Sequence, residues 1–135
     1  ILIRERRALH AQGDRLRRAA EVQTRTQRFI DAQAAAGKDV APLQTALAAY
    51  TVRINEAKAD HDKAKATLTA HAGFSDSGEV IDRETARQTV KSAGEDLKKA
   101  HEHLDGAGKD LATAIKAWRE ANGLKPEPKE APVKP

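Results

Sequence analysis

Residues 43–71 read LQTALAAYTVRINEAKADHDKAKATLTAH, and the spacing of their apolar and small side chains decides the fold. Leu43, Leu47, Tyr50, Ile54, Ala57, His61, Ala64, Leu68 and His71 recur at intervals of 4, 3, 4, 3, 4, 3, 4 and 3. Only a helix brings such residues onto one line, and a seam kept for about four heptads implies packing against partner helices. Asp39 is placed to cap this helix. Pro42 falls in its first turn, where a missing N–H costs nothing, and Gly73 suits the left-handed residue that ends it.

The same pattern returns downstream. Ala86, Val90, Ala93, Leu97, Ala100, Leu104, Ala107, Leu111, Ala114 and Trp118 keep the 4–3 alternation, with Asp82 as the natural N-cap and Glu84 in the first turn. Gly106 and Gly108 interrupt the composition of this stretch but not its phase, and a turn has no reason to preserve phase. One continuous helix is expected, with a kink at 105–108 as the alternative. Upstream, Leu2, Leu9, Leu16 and Ile30 keep a seven-residue line that passes through Gln23. Val22, Thr26 and Phe29 suggest a one-residue shift of the stripe near position 20, so the first helix should pack most loosely.

Composition agrees with a narrow fold. Of 135 residues 39% are apolar, but 27 are alanine, which leaves 26 larger apolar side chains. At about 1.5–3 kcal/mol each when fully buried, these hold a structure only if most of them line one continuous seam. Few aromatics, abundant alanine and 33% charged residues fit long helices better than a sheet. The expected fold is all-α, an elongated antiparallel three-helix bundle with helices over about 1–36, 40–72 and 82–121, within a domain spanning 1–122. Residues 123–135, rich in Pro, Lys and Glu, have the composition of an extended tail or linker that tethers the bundle to a surface or a further domain.

Several function classes fall away. The absence of cysteine excludes disulfides, thiolate metal sites and a cysteine nucleophile. No stretch approaches the roughly 18 apolar residues that a transmembrane helix needs. The net charge of +4 is carried by the first 36 residues, whose eight arginines scatter around the helix. That argues against nucleic acid as partner, which calls for a one-sided basic stripe with base-reading side chains among the cations. No phosphate loop, zinc-protease helix or serine elbow is present, and Asp60, Asp62, Glu95 and Asp96 each have a cation within about a turn. A thin, alanine-lined bundle also leaves no room for a substrate cavity of a few hundred Å³. The reading is therefore not an enzyme, with no cofactor.

Two sets of residues carry the remaining chemical options. Aligned with a calcium-binding EF-hand loop, Gly78 takes position 6, Ser75 and Ser77 take the ligand positions before it, and Glu84 takes the last. The first position is then Gly73, where a carboxylate is needed, so the bland alternative is a connecting loop whose Phe74, Val80 and Ile81 plug the end of the bundle. Of the five histidines no pair has the i, i+4 spacing of a divalent-metal site. His61 and His71 occupy seam positions, where protonation would put charge into an apolar line and make the bundle pH-sensitive.

A long Arg/Gln helix, the GKDVAPLQTAL hairpin at 37–47, the HAGFSDSGEV loop at 71–80 and a last helix ending in AWREAN at 117–122 together resemble exported, coiled-coil-like α-helical bundle proteins of bacteria whose activity is uncharacterised. The resemblance spans about residues 5–122 and implies a secreted or periplasmic setting. The chain opens Ile1-Leu2-Ile3-Arg4 without methionine, as removal of an export signal would leave it, and as trimming of a longer chain would too. The expected function is that of a non-enzymatic structural or protein-interaction bundle, acting through a protein partner or self-association. The alternative is a periplasmic metal- or stress-sensing protein using its histidines and the 73–84 loop.

Overall fold

In the computed structural model, which describes residues 2–124, the 4–3 spacings become three helices: α1 (Ile3–Ala35), α2 (Ala41–Ala70) and α3 (Arg83–Ala121). The chain forms an all-α three-helix bundle. At 1.5 Å per residue the 39 residues of α3 run for about 58 Å. Leu2 packs with Leu68, Phe74 and Ala86 at one end, and Trp118 reaches the α1–α2 connection at the other. Neighbours in sequence are therefore antiparallel, and α1 runs parallel to α3. The proline-rich tail expected from residue 123 lies outside the described residues beyond Leu124, whose side chain folds back onto the core.

Every α2 seam position from Leu43 to Leu68 is buried. On α3 the line from Ala86 to Trp118 is buried except for half-buried Val90 and Ala114, and Thr89 joins it. Ala57, Ala64, Ala93 and Ala100 have no exposed surface, which lets the α2 and α3 backbones run close together. α1 lies further from both.

α1 keeps one phase throughout, against the expected shift near position 20. Leu2, Leu9, Leu16, Gln23 and Ile30 form one edge of its seam, and Glu5, Gln12, Ala19 and Thr26 form the other. Glu5 and Gln12 on the second edge are polar, so apolar spacing alone does not reveal it ahead of Ala19 and Thr26. Gln23 stays on its edge by donating to the Thr51 hydroxyl at 3.1 Å.

The helix ends also differ in detail. Val40, not Asp39, occupies the N-cap position of α2, and the Asp39 carboxylate accepts the next free donor, the Ala41 N–H, at 3.0 Å. α2 ends two residues early at Ala70, because His71 already takes the left-handed conformation (φ 38°) expected of Gly73. Asp82 caps α3 as expected, accepting from the Thr85 N–H at 3.3 Å and hydroxyl at 3.0 Å, and these bonds hold its carboxyl below the usual range.

α3 runs unbroken through 105–108, so the glycines do not divide it into two helices. Gly106 has a packing role: a Cβ at this position would sit 3.0 Å from the Arg53 Cζ, so its absence lets the Arg53 guanidinium lie across α3. There Arg53 Nε donates to His103 Nδ1 at 3.2 Å, and Nη1 is 3.8 Å from Asp110. Nothing in the structure accounts for Gly108. Because the group in the way is the end of a flexible side chain, Gly106→Ala should be neutral to stabilising by up to about 1 kcal/mol. The gain in helix propensity then exceeds the loss of a half-exposed ion pair. Thermal unfolding at low and high salt would check this, and a loss above that size would show that Arg53 is fixed more firmly than its exposure implies.

Candidate functional site

The α1 seam buries three polar side chains, Glu5, Gln12 and Thr26, where α2 and α3 bury one each, and two features follow. The first is a hydrogen-bonded layer through all three helices. Gln12 of α1 donates its Nε2 to the Leu97 carbonyl of α3 at 3.0 Å, which leaves its Oε1 to accept from His61 Nδ1 of α2 at 2.9 Å. The His61 ring thus keeps its proton on Nδ1 and lies over Gly13, with Cε1 and Nε2 3.9 Å from where a Cβ would be. Burial lowers the pKa of this histidine, aided by Lys65 and Lys58 and opposed by Asp62.

A buried pair of this kind is costly to break from one side. Gln12→Leu alone should destabilise by about 1–3 kcal/mol, because the His61 N–H loses its acceptor, whereas adding His61→Leu should recover most of that loss. The depressed pKa also sets a sign. Below about pH 6.5 the unfolded chain takes up a proton that folded His61 resists, so its contribution is complete above that pH and is lost as pH falls. His61→Leu should flatten this part of the stability–pH curve. Denaturant melts of both proteins across pH 5–8 isolate the term, since the other four histidines remain in each; parallel curves would remove His61 from the account.

The second feature is an open trough of about 550 Å³ between α1 and α3, floored by Ala8, Ala11, Gly94 and Leu97. This corrects the expectation that the bundle has no room for a cavity. α1 stands off from α3, and the facing positions carry side chains too small to fill the gap. The signal in the sequence was the pairing of Ala8 and Ala11 with a glycine on the facing helix, which only the register of α1 against α3 makes visible.

The residues considered for an ion are not gathered into a ligand set. Ser75 and Ser77 share a hydrogen bond between their hydroxyls at 2.9 Å, and the Ser75 oxygen accepts the Glu79 N–H at 3.1 Å. Glu84 projects from the first turn of α3, where it accepts from Gln88 at 3.3 Å and lies 3.6 Å from Arg87. Among the described residues no group of three or more His, Asp or Glu side chains is arranged to hold a metal. His71 donates from Nδ1 to the Phe74 carbonyl at 3.1 Å and lies 3.5 Å from Asp76, so it braces the loop instead of extending the seam.

The expected plug is only one residue deep. Phe74 is buried, but Val80 and Ile81 are 50% and 71% exposed, and Ile3 on the same end of the bundle is 61% exposed. The loop turns back at Ser75–Gly78, pairs Phe74 with Val80 as a single antiparallel bridge, and so carries Val80 and Ile81 outward.

Of the carboxylates weighed for acid–base work, Asp62 pairs with Lys58 at 3.2 Å, and Asp60 is 3.8 Å from the Nε2 of His103. Asp105, held low by the Arg15 guanidinium, accepts from it at 2.9 Å. Among the described residues no helix is long and apolar enough to cross a membrane. No protein family, curated protein or solved structure matches the chain.

Proposed function

We propose that this protein is a non-enzymatic interaction module that presents the loop end of its helical bundle to a protein partner. The observation that carries the reading is the rigid display of Val80 and Ile81. Ser75, Gly73 and the Phe74–Val80 bridge fix the loop through hydrogen bonds, so the two branched side chains are held in water by a braced backbone. Folding gains nothing from adjacent aliphatic residues held in water, and Ile3 adds apolar surface on the same end. A braced surface also binds at lower entropic cost than a mobile one. The resemblance to exported bundles extends the proposal to a setting outside the cytoplasm, which fractionation of cells making the full-length protein would test.

Site-specific crosslinking addresses the docking surface. A photoreactive benzophenone amino acid at position 81, in cells that make the full-length protein, should give one discrete protein adduct. The same residue at position 52, where Val52 is exposed midway along α2, should give none. Equal labelling from both sites, or none from position 81, would sink the proposal.

A further inference from the structure

The trough between α1 and α3 is independent of the loop end, and its chemistry is more specific. Its floor is small and apolar, while its edges carry cations, Arg4 and Arg15 on α1 and Lys98 on α3, with the His101 ring beside them. Arg4 and Arg15 are eleven residues apart, which sets the length of the depression at about 16 Å. Its one acid, Glu5, lies 3.6 Å from Arg4 and is balanced by it. Arg15 and His101 share Asp105, each at 2.9 Å. Lys98 has no ion-pair partner among the described residues.

Gly94 is the most open part of that floor. Glycine inside a helix weakens it relative to alanine, so its presence asks for a reason. At position 106 the reason is Arg53. At position 94 a Cβ would meet no atom within 4 Å, and the backbone is helical, so neither packing nor backbone angle asks for glycine there. It lines the trough with Lys98, and a longer side chain there would project into that space.

We propose that this trough binds one amphipathic organic anion, with its apolar body on Ala8, Ala11, Gly94 and Leu97 and its carboxylate at Lys98. A volume of about 550 Å³ lies in the range of small-molecule sites, and the free positive charge selects the sign of the head group. The concave shape takes the ligand as a monomer and not as part of a lipid surface.

Calorimetric titration with dodecanoate, kept below its micelle threshold, tests this on the whole protein. One equivalent should bind, and dodecyltrimethylammonium, with the same chain and the opposite charge, should bind at least about tenfold more weakly. Lys98→Gln should weaken dodecanoate by about tenfold, the size of one lost charge-assisted contact. Gly94→Leu should abolish binding while the thermal midpoint holds or rises, since leucine favours the helix and fills only the trough. Ile81→Ser should leave binding unchanged, which separates the trough from the loop end. Failure of dodecanoate to bind, equal binding of the ammonium, full binding by Gly94→Leu, or binding only to phosphatidylglycerol vesicles would each overturn the proposal.

Discussion

Replacing Trp118 by alanine should cost about 3–5 kcal/mol of folding stability, the largest loss expected from any single truncation in this bundle. The indole is buried at the far end of α3, edge-on to Phe29 of α1 with ring centroids 5.7 Å apart and planes at 83°. Its Nε1 donates to the Asp39 carbonyl in the α1–α2 connection at 2.9 Å, so one side chain ties α3 both to α1 and to the segment that leads into α2. Truncation leaves a large cavity, removes the aromatic pair and strips that carbonyl of its donor. The Arg119 guanidinium, 4.7 Å from the Phe29 ring centre, would remain over a ring that had lost its support. Trp118→Phe keeps most of the volume and should lose only about 1–2 kcal/mol, chiefly the hydrogen bond. Because Trp118 is the single tryptophan of the chain, unfolding must be followed by far-ultraviolet circular dichroism in urea. A loss below about 1 kcal/mol for Trp118→Ala would mean that this end of the bundle is already open.

Trp118 was legible in the sequence because it falls on an unbroken 4–3 line, and the same holds for most of α2 and α3. The lines are readable because leucine, isoleucine and alanine at these spacings have no better place than a helix–helix seam. α1 was half legible. Its Leu2–Leu9–Leu16 edge stood out, and so did Thr26, but Glu5 and Gln12 look like a solvated face until their partners are known. Hydropathy cannot separate a polar residue in water from one bonded to a histidine and a carbonyl of two other helices. That information lies in the register of α1 against α2 and α3, and so does the trough that the same register opens.

The glycines make the point in another way. In the sequence Gly106 and Gly108 cast doubt on a helix, while Gly73 and Gly78 marked a loop. In the structure Gly106 receives an arginine, Gly94 lines a trough and Gly73 is pressed against another helix. A one-letter pattern records that a side chain is absent, and only the surroundings say what the absence is for. The connecting loop shows the same limit: Phe74, Val80 and Ile81 are equally apolar on paper. A single backbone reversal at Ser75–Gly78 buries the first and exposes the other two.

That loop yields the second large effect, a contrast between two glycines with the same backbone angle. Gly73 and Gly78 have φ of 90° and 92°, a region where any Cβ costs about 1–2 kcal/mol. Around Gly78 the space is empty, so Gly78→Ala should lose about that amount and no more. At Gly73 an added Cβ would lie 2.7 Å from the Ala86 Cα and 2.8 Å from the Thr85 carbonyl carbon, which are backbone atoms that cannot step aside. The Gly73 carbonyl also accepts the N–H groups of Ile81 at 2.8 Å and Asp82 at 3.2 Å, so forcing the chain away from α3 weakens the entry to that helix. Displacement of this kind adds about 1–3 kcal/mol, for a total of at least about 3 kcal/mol in Gly73→Ala. The damage should reach Phe74, whose burial depends on the loop lying flat against Ala86, and hydrogen exchange should rise first in residues 71–90. If the two alanine variants proved equally stable, the close approach of Gly73 to α3 would not be what holds the loop end together, and the rigid display of Val80 and Ile81 would lose its structural basis.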